Sequence, residues 1–225
     1  MSIKRTLILS ALLTTLLSTT AMAQDLLIKD ATIVIPGGTS TDTDVLIQNG
    51  RITNIGTDIT TPAGIEIHDG AGHWVTPGLF ASYSTMGLVE VGAEDSTNDT
   101  TASKAKTNVS ERAADSFNPR SSHVAIARRR GVTQAVVIGS TSGDSIFAGT
   151  GLIATTSGAF DSVVDKAAFV HVALGETGAN RAGGSRSAAL AQLRAALSDA
   201  RNYRTRISSP EDGDALSRQD AAALS

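Results

Sequence analysis

The chain has 225 residues, 41% of them hydrophobic, with no cysteine and a net charge of −3. Without thiols it has no disulfide staples, no thiolate metal site and no cysteine nucleophile, so an ordinary apolar core must hold it together. The acidic balance gives no general electrostatic reason to bind nucleic acid or anionic lipid.

The first 23 residues have the pattern of a secretion signal. Lys4 and Arg5 form a basic n-region, Leu7 to Thr20 a largely apolar stretch, and Ala21-Met22-Ala23 a small-x-small cleavage site before Gln24. A membrane-spanning helix needs ~20 predominantly apolar residues. Ser10, Thr14, Thr15, Ser18, Thr19 and Thr20 interrupt this stretch. Cleavage between Ala23 and Gln24 is therefore expected, with release to the periplasm or the exterior and no membrane anchor left. It leaves 202 residues with 17 basic and 22 acidic side chains, ample for one core.

Residues 24–73 follow a β pattern. Leu26-Leu27-Ile28 and Ala31-Thr32-Ile33-Val34-Ile35 are short apolar runs closed by Pro36-Gly37-Gly38. Val45-Leu46-Ile47 and Ile52-Thr53-Asn54-Ile55 flank Asn49-Gly50, a hairpin signal because a type I′ turn needs positive φ at both central residues. Ile65 to His68 alternates and ends at Asp69-Gly70. A small antiparallel sandwich is expected.

After the strand around Pro77-Gly78-Leu79 comes Leu88 to Val91, then a polar segment from Gly92 to Phe117. A gap that long is usually functional or mobile. Ser121 and Ser122 can cap a helix over about His123 to Arg130, whose Arg128-Arg129-Arg130 run suits the C-terminal dipole before Gly131. Thr133 to Ile138 has the pattern of a buried strand, and helix followed by strand is the rhythm of a parallel barrel or open sheet. Ile146 to Thr155 and Ala167 to Leu174 are strand-like. Ala188 to Tyr203 is the clearest helix, with Leu190, Leu193 and Leu197 sharing one face. Ser217-Arg218-Gln219-Asp220 resembles a capping box opening a last helix.

Trp74-Val75-Thr76-Pro77-Gly78-Leu79, running into Phe80-Ala81-Ser82-Tyr83-Ser84-Thr85, resembles the first barrel strand of the amidohydrolase superfamily of metal-dependent hydrolases. Leu27 to Ile33, Asp44 to Ile52 and Asp69-Gly70-Ala71-Gly72 match that family's N-terminal lobe in order. The resemblance implies an antiparallel β-sandwich lobe over residues 24–73 and the first βα units of an incomplete TIM-like barrel over 74–225. Only 152 residues follow His73, whereas an eight-unit barrel takes ~200–250, so a truncated or longer parent protein is expected. Uncovered faces would then make the chain oligomeric or aggregation-prone.

The same resemblance implies hydrolysis of C–N bonds other than peptide bonds, with zinc or another divalent metal. In the family a His-x-His pair after the first strand holds that metal. Here those positions are Tyr83 and Thr85, and the family's Asp position is Ala81. The expectation is no metal in this chain and an inactive or altered hydrolase. Tyr83, Thr85 and His171, the last in the strand-like Phe169-Val170-His171-Val172-Ala173, are candidates for binding a small-molecule ligand. The plainer reading is that Tyr83 and Thr85 fill the space of a lost metal and that His171 is a hydrogen-bonded structural residue. Glu90, Glu94, Asp95 and Asp99 lack the alternation and glycine of an EF-hand and suit a solvated loop. Two other outcomes stay open: a non-catalytic periplasmic binding protein on this scaffold, and a short exported α/β domain sharing only the sandwich pattern.

Overall fold

The computed structural model describes residues 25–102, 104–105, 108–205 and 215–225, and divides into two units between Pro77 and Gly78. The signal segment, with Ala23 and Gln24, lies outside the described residues.

The first unit is one sheet of five strands: β1 (Leu26–Ile35), β2 (Gly38–Gln48), β3 (Arg51–Gly56), β4 (Glu66–Asp69) and β5 (Trp74–Val75), in the order β3-β2-β1-β4 with β5 also paired to β1. Asn49 and Gly50 take φ of 53° and 72°, and Gln48 pairs directly with Arg51 across them. This is the two-residue turn that the dipeptide encodes. The two apolar runs at 26–28 and 31–35 are one strand, not two. The register slips where Asp30 takes φ 57°, and the Asp44 carboxylate, 1% exposed, accepts the displaced Asp30 N–H at 3.0 Å and Ile59 N–H at 2.9 Å. A buried carboxylate with two backbone donors can hold a bulge that bare strand pairing would not.

The expected antiparallel pairing holds for β1, β2 and β3, but β4 and β5 run parallel to β1. Alternation shows that a strand exists and which residues share a side. It does not give direction, and the connection after Gly56 is long enough to bring the chain back beside β1 in the same sense. Ala31, Ile33 and Val45 form this unit's core, with Ile28, Ile47 and Val75 packed on it.

The second unit has four strands in order: β6 (Leu79–Ser84), β7 (Val132–Val137), β8 (Phe147–Thr155) and β9 (Val163–Val172). Its helices are α1 (Ala113–Ser116), α2 (Ser122–Arg129), α3 (Glu176–Arg181), α4 (Arg186–Arg204) and α5 (Arg218–Leu224). Ser121, Ser185 and Ser217 cap α2, α4 and α5 through their hydroxyls. Leu88 to Val91 forms only isolated bridges, not a strand.

The parallel β–helix–β rhythm is present once, from β6 through α2 to β7; β7–β8 and β8–β9 are antiparallel. A parallel crossover takes a dozen or more residues, and the links after β7 and β8 are shorter than that. The sheet is mixed, not a run of successive barrel units.

Two cores flank these strands. Leu88, Ala135, Val137, Leu152 and Ala154 make one, with Ala81 and Phe117 beside it. Val109, Ile146, Phe147, Ala189, Ala196, Ala200, Leu216 and Ala221 make the other. On α4 the buried residues are therefore alanines. Leu190 is 40% exposed and Leu197 37%, and only Leu193 of the three expected leucines packs on the core. Small side chains let the helix axis approach closely, so the stripe that faces inward is the alanine stripe.

Candidate functional site

β6 and β7 are parallel, and β9 follows two reversals, so β6, β7 and β9 point the same way. Tyr83 near the end of β6 and His171 near the end of β9 thus reach the same end of the sheet. Their rings meet edge to face, with centroids 5.8 Å apart and planes at 81°. The ends of co-directional strands are where α/β sheets hold their sites.

Tyr83 is 58% exposed. His171 Nδ1 is buried and has no hydrogen-bond partner among the described residues, so the expected structural hydrogen bond is not made there. Thr85 lies beyond Ser84, the last residue of β6, and its carbonyl accepts from Leu88 N–H at 3.0 Å in the turn that follows. The sheet therefore brings Tyr83 and His171 together and leaves Thr85 in a turn.

Among the described residues no group of three or more His, Cys, Asp or Glu side chains is placed to hold a metal ion. Tyr83 and Thr85 carry hydroxyls, which are poor zinc ligands beside the imidazole, thiolate and carboxylate groups that zinc sites use. The end of β6 does not fit the zinc ion that the sequence resemblance implies.

The other histidines are placed in local structure. His68 Nε2 lies 3.4 Å from Glu66 Oε1, His73 Nδ1 is 3.1 Å from Ala71 O, and His123 Nδ1 is 2.9 Å from Val89 O. The acids after β6 also have local partners. Ser96 hydrogen bonds hold the exposed Glu94 carboxyl below its usual range, while Glu90 accepts from Asn118 Nδ2 and Ser121 Oγ. Arg128 donates through Nη1 to the carbonyls of Thr156 and Ser157.

Sequence patterns did not reveal the acid pair Glu111 and Asp220. Asp220, 3% exposed on α5, accepts from Asn108 N–H, Ser110 N–H and Ser110 Oγ through Oδ1 at 2.8 to 3.1 Å. Its neighbour Glu111 has Oε1 buried without a hydrogen-bond partner, and burial first, then the Asp220 charge, push the Glu111 carboxyl above its usual range. Ser217-x-x-Asp220 announced a cap, and the Ser217 hydroxyl does accept Asp220 N–H at 3.1 Å. The Asp220 side chain reaches elsewhere, across 110 positions of sequence to Ser110. No local pattern can show that.

Two glycines of β8 have packing roles. Gly149 takes φ 80° with Glu111 O 2.5 Å from where a Cβ would stand, and a Cβ on Gly151 would stand 2.2 Å from the Phe169 ring. Thr141 and Gly143 present their carbonyls to Arg181 at 3.1 Å, fixing the loop after β7.

No protein-family model matches the chain. Over 56 residues, 24% of this chain and 13% of the relative, the sequence is 41% identical to a dihydroorotase from Pelobacter propionicus. In fold the chain is similar to an amidohydrolase from Thermotoga maritima, with a TM-score of 0.68 and 22% identity over 88% of this chain. The match spans 55% of that solved chain, about half its length.

Proposed function

This chain has the fold of the amidohydrolase superfamily, and from that premise we propose that it is an exported hydrolase relative in which the first metal-ligand pair is lost and metal-assisted C–N hydrolysis with it. The observation that carries this reading is the end of β6, where Tyr83 packs on His171 and Thr85 enters a turn. A zinc ion needs neutral imidazoles and carboxylates converging on one point, and these side chains do not supply them. Purified protein, washed free of loosely held ions, is expected to contain far less than stoichiometric zinc by elemental analysis. It should also show no metal-dependent hydrolysis of amides or cyclic amides. Stoichiometric zinc accompanied by a clear rise in melting temperature would sink the proposal. Export has its own check, since N-terminal sequencing of protein recovered outside the cytoplasm should begin at Gln24.

The ring contact favours a second reading, ligand binding without catalysis on the same scaffold. An exposed phenol packed edge to face on an imidazole presents a flat surface with one hydroxyl that can donate to or accept from a small molecule. Chemical-shift changes at Tyr83 and His171 on screening small amides would support it, and their absence across the screen would remove it.

A further inference from the structure

The loop joining β7 to β8 rises from the same end of the sheet as Tyr83, and beneath it lies a cavity of about 360 Å³ that neither Tyr83 nor His171 lines. Ser142 and Asp144 of that loop, Asn108, Gln192 of α4 and Asp220 of α5 face it, and Phe147 supplies an apolar wall. The volume lies in the range that holds small metabolites.

Its chemistry is one-sided. Two carboxylates, and no lysine or arginine, are among the described residues that line the cavity. Asp144 is exposed, and its carboxylate has no hydrogen-bond or ion-pair partner among the described residues. Gln192 donates Nε2 to Asp144 O at 3.0 Å, and its Oε1 is buried with no hydrogen-bond partner among the described residues. Asp220 at the base has backbone and hydroxyl donors but no cation among the described residues.

We propose that this cavity binds a small organic cation with N–H donors, an amine or guanidinium compound, with Asp144 as the contact at the rim and Asp220 supplying charge at the base. Acceptors with no competing cation among the described residues disfavour anions and would themselves go unserved by an apolar ligand. A bare divalent ion needs six or so convergent oxygens, and among the described residues no such cluster stands here.

The test titrates the full chain with agmatine by calorimetry. Saturable binding is expected, weakened by added salt and about tenfold weaker in Asp144→Asn. Asp144 is exposed, so this variant should fold, and its unchanged melting temperature without ligand checks that. On saturation the Glu111 carboxyl, followed by NMR, should titrate closer to its usual range. Absence of saturable heat, equal affinity in the variant, or preferential binding of calcium chloride abolished by Asp144→Asn would overturn the proposal. None of these results bears on the zinc measurement, so the two readings fail separately.

Discussion

Tyr83 and His171 touch edge to face at 5.8 Å although they belong to the two outermost strands of a four-stranded sheet. With neighbouring strands about 4.8 Å apart, the outer pair of a flat sheet would be separated by about 14 Å. Both side chains lean inward over β7 and β8, and the ordinary twist and coiling of a sheet closes the rest of that gap.

If the contact spans the two edges, Tyr83→Ala and His171→Ala should be coupled. A double-mutant cycle in urea is expected to give about 0.5–1.5 kcal/mol of interaction, while Tyr83→Phe should retain most of it. Strict additivity would show that the rings meet without holding the edges together.

Asp220 ties α5 to the loop before α1, so Asp220→Ala should leave the Asn108 and Ser110 N–H groups buried without acceptors. The expected loss is about 3 kcal/mol, read as a lower urea midpoint. Ser217→Ala removes only a cap and should cost about 1 kcal/mol.

Glu111 gives a pH signature. Its folded carboxyl titrates above the ordinary 4.5, so the stability it contributes is full below that value and is lost as pH rises through the raised one. Glu111→Gln should be more stable than the parent at neutral pH and no better in acid. Parallel stability curves for the two proteins from pH 4 to 8 would contradict this assignment.

Gly151→Ala should cost about 1–3 kcal/mol because the new methyl meets the Phe169 ring. Phe169→Leu in the same molecule should recover part of that loss. Thermal melts of the single and double variants measure it.

Much of the fold was legible. Asn49-Gly50 gave its hairpin, and Ser121 and Ser217 gave their helix starts, because those signals act within a few residues of backbone. Strand direction was not legible, since β4 and β9 alternate or run apolar alike in either sense. The face of α4 was misjudged because hydropathy favours leucine, whereas close packing selected Ala189, Ala196 and Ala200. At the candidate site the sequence singled out Tyr83 and His171 separately. Their meeting depends on the twist and coiling of the sheet, and the Asp220 network on contacts more than 100 positions apart, neither of which a linear pattern encodes.

The alanine stripe on α4 inverts the usual map of mutational tolerance. A redesign guided by hydropathy would protect Leu190 and Leu197 and treat the alanines as filler. On this helix both leucines are more than a third exposed, so glutamate or lysine at either should cost less stability than a larger side chain at a buried alanine. Added side-chain volume at Ala196, 0% exposed, would instead crowd the core that this helix shares with Val109, Ile146 and Phe147.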